Sequence, residues 1–283
     1  MNKRPTIRQV LGLLCLLISN MVVAADLSDG KEIVTKAYNL ERVQDQISRM
    51  AFTFSAPNEG DKNLTFRVFW KNYDSSAEFA SKVLFFAEFP PVEKDKVYLG
   101  FLSAPLSNKK DEEWIYIPDL RQVMRLTAKS KRSGAEAKEQ DELFGKSVLH
   151  RNHLDPRHPE LDTHKLAGSE MLDGRDHYIV ESTPKKTDLD AFPYIKTVNW
   201  IDKENFTLRR VHFINERNAN EVEMDITWLN EKGKWIWKDV VGYKPKSKQK
   251  TSISVSKILV DVGLEDDLFS KRSMKKGLRG LKL

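Results

Sequence analysis

The stretch Val83–Phe89, "VLFFAEF", is apolar on both sides of a period-two alternation: Val83, Phe85, Ala87 and Phe89 fall on one side, Leu84 and Phe86 on the other. The stretch Asp111–Leu126, "DEEWIYIPDLRQVMRL", shows the same excess. There Trp114 and Tyr116 alternate with Ile115 and Ile117, and Val123 and Arg125 with Met124 and Leu126. An antiparallel sheet in water ordinarily covers one face and wets the other. A chain built of such strands has to bury both faces of at least part of its sheet. Either two sheets pack as a sandwich, or one strongly curved sheet wraps a cavity that a helix and a hydrophobic ligand share.

Strands dominate the rest of the chain. From Met50 the period-two segments "MAFTF", "LTFRVFWK", "SKVLFFAEF", "VYLGFL" and "WIYI" succeed one another, and a second half repeats the pattern from "HYIVES" to "TSISVSKILVDV", about a dozen strands in all. Short turns such as "LDGRD", "DKENF" and "NEKGK" join neighbours, which predicts an antiparallel meander. Ahead of them, Asp29 with Glu32 forms a capping pattern, and Ile33, Ala37, Leu40, Val43 and Ile47 recur at helical spacing, so one amphipathic helix is expected to open the fold. Residues 135–149 and a turn near Asp266 are the other helical candidates. The polar break over residues 130–163 reads as an insertion in one sheet, leaving residues 26–283 as a single domain.

Lys3, Arg4 and Arg8 precede the apolar run Val10–Ile18 and then "VVAAD", the pattern of a cleaved secretory signal over residues 1–25. Cys15 is the sole cysteine and lies within that segment, preceded by "GLL" rather than the small residue of a lipoprotein signal. The expected mature chain therefore excludes disulfides, thiolate metal sites and thiol nucleophiles. Removing the signal takes three of 47 basic residues and none of 41 acids, so the formal charge falls from +6 to 44 − 41 = +3. That balance supports no nucleic-acid partner, and the expected compartment is the periplasm.

Catalytic signatures are scarce: there is no Gly-x-Ser-x-Gly elbow, phosphate-cradling glycine loop, dinucleotide fingerprint or His-Glu-x-x-His pattern. Four of the six histidines, His150, His153, His158 and His164, cluster with Asp155, Glu160 and Asp162 in "HRNHLDPRHPELDTH". Their spacing fits no closed zinc site and two prolines force an extended path, so a solvated loop is the favoured reading and no metal or cofactor is assigned. The tail, residues 271–283, places Lys271, Arg272, Lys275, Lys276, Arg279 and Lys282 around Met274, Leu278 and Leu281. Such a segment either rests on anionic lipid, docks a partner, or is a frayed soluble end. The six tryptophans all fall in strand segments; most are expected in the core, with a minority lining a pocket.

The succession "FPP", "VYLGFLS", "DEEWIYIPDLRQVMRL", a polar break, "HKLAGSEMLDGRDHYIVESTPKK", "YIKTVNWIDKENFTLRRVHF" and "TSISVSKILVDVGLEDDLFS" resembles the LolA-like outer-membrane lipoprotein-sorting family over about residues 50–270. "WIYIPDLRQVMRL" and "YIKTVNWID" carry the likeness most specifically. The resemblance implies a mainly β fold: a curved antiparallel sheet forming a half-open β-barrel round a hydrophobic cavity, with helices as plug or lid. It also implies a non-enzymatic carrier of acyl chains of lipoproteins or lipids, serving an RND-type exporter or outer-membrane lipoprotein sorting. The polar break departs from the pattern, since "KRSGAEAKEQDELFGKSVL" keeps only Gly134 and the region of Asp141 to Leu143.

Strand alternation then nominates Phe66, Val68, Trp70, Val83, Phe85, Leu99, Phe101, Trp114 and Tyr116 as cavity contacts. Arg125 is nominated for a phosphate or carboxylate at the mouth, or alternatively for a salt bridge. Two rival functions stand beside the carrier. One is a protein-interaction or envelope-sensing module on the same sheet; the other is an envelope-lipid hydrolase centred on His150 or His153.

Overall fold

The computed structural model describes residues 27–74, 77–104, 106–107, 109–126, 147–186, 189 and 192–281. The expected signal peptide, Lys282 and residues 130–146 of the polar break lie outside the described residues. Thirteen antiparallel strands form one sheet: β1 (Asp45–Ser55), β2 (Lys62–Asn72), β3 (Ser81–Phe89), β4 (Val97–Leu102), β5 (Glu112–Ile117), β6 (Gln122–Leu126), β7 (Asp162–Leu172), β8 (Arg175–Pro184), β9 (Lys196–Asp202), β10 (Leu208–Ile214), β11 (Asn220–Glu231), β12 (Lys234–Lys244) and β13 (Gln249–Val260). The order is β6-β5-β4-β3-β2-β1-β13-β12-β11-β10-β9-β8-β7, two meanders joined where the first strand pairs with the last. Of the two arrangements left open by the sequence, the single curved sheet is the one adopted.

Its curvature follows from which strands share a cavity. Trp70 of β2 and Ser182 of β8 line the same space, although their strands stand seven positions apart in the sheet. In a flat sheet that offset is about 34 Å, at roughly 4.8 Å per strand. The sheet must curl for both to reach one cavity. Two-residue turns with left-handed backbone at both positions, Asp173-Gly174 (φ 53° and 78°) and Lys232-Gly233 (φ 54° and 88°), close the β7–β8 and β11–β12 hairpins at the "LDGRD" and "NEKGK" signals.

Helix α1 spans Gly30–Tyr38, and the Asp29 carboxylate accepts from the Lys31 amide at 2.9 Å. Its buried Ile33 packs on Tyr178, Val180 and Ile201. Gly30 is there because a Cβ would stand 2.8 Å from the Leu166 amide nitrogen; only glycine lets the helix lie this close to β7. The expected continuation of the helix through Val43 and Ile47 is corrected: it ends at Tyr38, and Ile47 belongs to β1, which begins at Asp45. The backbone of β1 is satisfied on both sides, by β2 and by β13, and an eleven-residue strand paired twice outweighs a helical spacing of three apolar residues.

Both faces of β3 and β4 are buried, as their sequence requires, by different covers, whereas β6 holds no buried residue and Met124 is exposed, which corrects the expectation for that strand. The concave face carries Met50, Phe52, Phe66, Val68, Val83 and Phe85, packed with Val148 and Leu149 from the polar break and with Phe192 and Tyr194. The convex face carries Phe69, Leu84, Phe86, Val97, Leu99 and Trp114, and it is covered by the chain's own C-terminal segment: Leu264, Leu268, Phe269 and Met274, with Leu278 and Leu281 beside them. The reading of the tail as a frayed soluble end is thereby corrected. Helix α3 (Lys271–Lys276) stops at Gly277, φ 66°, and a 3-10 turn at Leu278–Gly280 follows, so all three apolar tail residues face the sheet while Lys271, Arg272, Lys275, Lys276 and Arg279 remain exposed. Two carboxylates anchor this cover. Asp45 accepts from the amides of Val262, Gly263 and Leu264 at 2.8–3.1 Å. Asp266 accepts from Lys71, Lys82 and the Tyr73 hydroxyl, and the Lys71 hydrogen bond leads those that hold its carboxyl down to about 2.

The polar break connects the two outer strands, β6 and β7, as an excursion from the single sheet. Its expected helix over 135–149 lies up to residue 146 outside the described residues; residues 147–149 are not helical, and the short helix α2 occupies Arg151–Leu154. The Val148 amide donates to Thr251 Oγ1 at 2.8 Å. A Cβ on Gly242 would overlap Leu149, so glycine at that position of β12 is what admits this segment onto the concave face.

Candidate functional site

Between α1, residues 153–157 and strands β1, β2 and β7–β13, the concave face leaves a cavity of about 240 Å3 that the described side chains do not fill. A buried water needs about 10–15 Å3 of such space, so there is room for a ligand well over ten times that size. Strand period two delivers the apolar wall: Met224, Ile226 and Trp228 share one face of β11, and a bulge between Thr227 and Trp228 sets Trp228 opposite Trp237 of β12. Val34, Ala37 and Leu40 close the wall from the helix side. Trp228 and Trp237 stay half-buried, and Trp228 Nε1 donates to the Leu208 carbonyl at 2.8 Å, so the ring's one polar group is satisfied and its face is left for contact.

The opposite end is polar but internally satisfied. Pro159 O, at 2.8 Å from His164 Nε2, can only accept, so Nε2 carries the proton and Nδ1 accepts from the Ser182 hydroxyl at 2.8 Å. This histidine is held by a backbone carbonyl and a serine hydroxyl, and among the described residues no carboxylate hydrogen-bonds to it. Asn199 Nδ2 lies 3.1 Å from Val180 O, Ser182 Oγ and Thr197 Oγ1. Arg157 donates to Asp162 at 2.7 Å and lies over the Phe192 ring at 4.4 Å. Arg42 and Tyr38 stand at the cavity's margin, Arg42 exposed.

His153, from the cluster singled out in the sequence, is buried and lines the cavity. Its Nδ1 accepts from the His150 amide at 2.8 Å, so Nε2 is the donor to the Tyr194 hydroxyl at 2.6 Å. Burial pushes its pKa down to about 4, with His150 adding to the effect. The ring is a neutral structural group with both nitrogens engaged. Among the described residues no group of three or more His, Asp or Glu side chains could hold a metal ion. His158 caps a turn, its Nδ1 accepting from the Glu160 amide at 3.1 Å.

The ten residues nominated from the sequence divide between the two faces. Phe66, Val68, Val83 and Phe85 are buried in the concave core beside the cavity, and Trp70 lines it. Leu99, Phe101, Trp114 and Tyr116 lie on the convex face under the C-terminal cover. Arg125 is exposed, 3.5 Å from Glu112 and 5.9 Å over the Trp114 ring, on the convex side as well; of its two expected roles the salt bridge is the one formed. The grouping of β4 and β5 side chains with those of β2 and β3 is corrected accordingly. Register places Leu99 opposite Leu84, whereas Val83 faces Gly100, so Leu99 and Val83 point to opposite faces. Sequence reasoning missed the wall of Met224, Ile226, Trp228, Ile236 and Trp237. The signal was present in the paired tryptophans of "DITWL" and "KWIWK", each set in an otherwise polar hairpin.

A family model described as "uncharacterized protein" matches residues 80–276. No curated protein matches the chain. Among solved structures, a DUF1329 family protein from Desulfovibrio piger superposes with a TM-score of 0.71 at 21% identity, over 87% of this chain and 97% of its own. A putative outer membrane lipoprotein-sorting protein domain from Vibrio parahaemolyticus gives 0.69 at 19% identity, over 87% and 98%. A LolA superfamily protein from Nitrosomonas europaea gives 0.57 at 16% identity, over 87% and 100%. At these identities the likeness is one of fold, and it meets the resemblance to LolA-like proteins read from the sequence.

Proposed function

From the premise that this chain belongs to the uncharacterized-protein family matched over residues 80–276 and has the LolA-like fold, we propose that it is a non-enzymatic periplasmic carrier that shelters an acyl chain of a lipid or lipoprotein in the concave cavity. The observation that carries this reading is a mostly apolar cavity, walled by half-buried tryptophans, that the described residues leave unfilled. Water is a poor occupant for such a wall, and each methylene moved into it from water gains about 0.8 kcal/mol. Aromatic faces and Met224 hold a flexible chain without a fixed polar lock, which lets an acceptor take it over. Trp70 and the β11–β12 wall make the contacts. Phe66, Val68, Val83 and Phe85 continue the same face beneath Val148 and Leu149, and Arg42 at the margin meets an acidic head. An RND-type exporter is the donor or acceptor that the family resemblance implies.

Four of the six tryptophans, Trp70, Trp228, Trp235 and Trp237, line the cavity, so brominated fatty acids, which quench indole on contact, report occupancy directly. Quenching should saturate at one ligand per chain, and Kd should fall about fourfold per added methylene until the cavity is full. Native mass spectrometry of the protein from a periplasmic fraction should show a bound lipid mass. Absence of both quenching and bound lipid sinks the carrier reading and leaves the interaction module in its place.

A further inference from the structure

The convex face holds a second concavity, of about 740 Å3, where the C-terminal cover meets β1, β2, β13 and the turn after β3. Arg49, Arg67, Lys94 and Lys257 line it from the sheet side; Lys275, Lys276 and Arg279 line it from the cover. Glu88 and Asp95 are the only acids among its lining residues. Seven cations against two acids is a local surplus of five, in a chain whose whole formal charge is +6. Glu88 is already shared between Arg49 at 2.9 Å and Arg67 at 3.3 Å. Among the described residues the other five cations hold no ion pair with any acid.

Two features mark the groove as more than a chance cluster. Arg67 Nε is buried and has no hydrogen-bond partner among the described residues, a donor left over after Glu88 is satisfied. Such groups are rare enough to require an explanation. Lys257 sits at the β13 bulge with φ 50°, a left-handed backbone that a lysine adopts only at a cost. That bulge shifts the strand's phase, so that Ile258 packs with the concave cluster and Lys257 joins the convex groove. Tyr116, Pro118 and Leu278 supply apolar shoulders beside the charges.

We propose that this groove binds a phosphate-bearing anion, its sheet-side arginines and the C-terminal lysines closing on the phosphate oxygens from two sides. The site is separate from the concave cavity and does not depend on what that cavity carries. The phosphate comes either from lipid headgroups at a membrane surface or from a soluble phosphorylated molecule, and the experiment separates these sources. The full-length exported protein is sedimented with phosphatidylglycerol vesicles and with phosphatidylcholine vesicles, and titrated calorimetrically with inorganic pyrophosphate. The same is done for Lys275→Glu/Lys276→Glu/Arg279→Glu, whose exposed side chains leave the buried Met274 untouched, and for Lys238→Glu/Lys246→Glu/Lys250→Glu, which changes net charge equally on other exposed positions.

Binding to phosphatidylglycerol but not phosphatidylcholine, weakened about a hundredfold in the groove variant at about fivefold per cation and nearly retained in the control, assigns a lipid headgroup. Pyrophosphate binding with the same variant pattern and no vesicle binding assigns a soluble phosphate. Equal losses in both variants, or no binding of either probe by the unaltered protein, overturns the proposal. Bromolipid quenching in the concave cavity is measured in parallel; it should be unchanged by the groove variant.

Discussion

Truncating Met274 is the sharpest test of how this sheet hides its second apolar face. Its side chain is fully buried, and it belongs to one cluster with Phe69, Leu84, Phe86, Leu99 and Trp114 of the convex face. Met274→Ala removes the side chain beyond Cβ from a site walled by rigid strands that cannot collapse, so the expected cost is about 3 kcal/mol, within the roughly 2–5 kcal/mol seen for such truncations. For a chain of this size each kcal/mol lowers Tm by about 2–4 °C, giving a drop of about 6–12 °C in calorimetry. Amide exchange should accelerate first in β3, β4 and residues 264–281, because they share the cluster. Val262→Ala, at a position 45% exposed just before the cover, is the control and should stay within about 0.5 kcal/mol. A Met274→Ala protein that melts within a degree of the parent would mean that the C-terminal segment does not cover the sheet in solution.

His153 should make stability depend on pH. Its folded-state pKa of about 4 lies below the usual 6.5, so the unfolded chain takes up the proton more readily. Stability is full above about pH 6.5 and is lost as pH falls towards 4, by about 3 kcal/mol over the window; half-buried His212, also shifted down, acts in the same direction. Denaturant midpoints measured from pH 7 to 4 should flatten substantially in His153→Gln, and an equally steep profile in that variant would refute the assignment. Gly242→Ala should cost about 1–3 kcal/mol by pressing on Leu149, and adding Leu149→Ala should recover part of it. Strict additivity in that double-mutant cycle would show that the two groups do not meet.

The strands were legible because period-two alternation and the turn signals at "LDGRD" and "NEKGK" act locally, and the excess of apolar faces in Val83–Phe89 announced a sheet buried on both sides. What lay beyond reach was the identity of each cover. Alternation says that Val83 and Leu84 point apart; it does not say that residues 264–281 return to cover Leu84 while Val148 and Leu149 cover the face of Val83. For the same reason the cavity was placed beside β2–β5, where apolar density is greatest. Dense strands fill their own concave face, and space survives where the sheet bears large half-buried rings and a nine-residue helix and residues 153–157 shield it. The start of β1 was lost to coincidence: Leu40, Val43 and Ile47 keep helical spacing in a segment whose backbone partners come from opposite ends of the chain.

That central seam has a consequence for how the protein is made. Arg49 pairs with Ser256, and Asp45 binds the amides of residues 262–264, some 217 positions away. Each meander can zip hairpin by hairpin as it emerges, but β1 has only β2 beside it until the last strand arrives. Closing so long a loop is the slow, non-local step. Until it happens neither the concave cavity nor the basic groove exists, since both are built from strands on the two sides of the seam. Formation of both concavities is thereby tied to the arrival of β13, and a chain lacking that strand has neither of them finished.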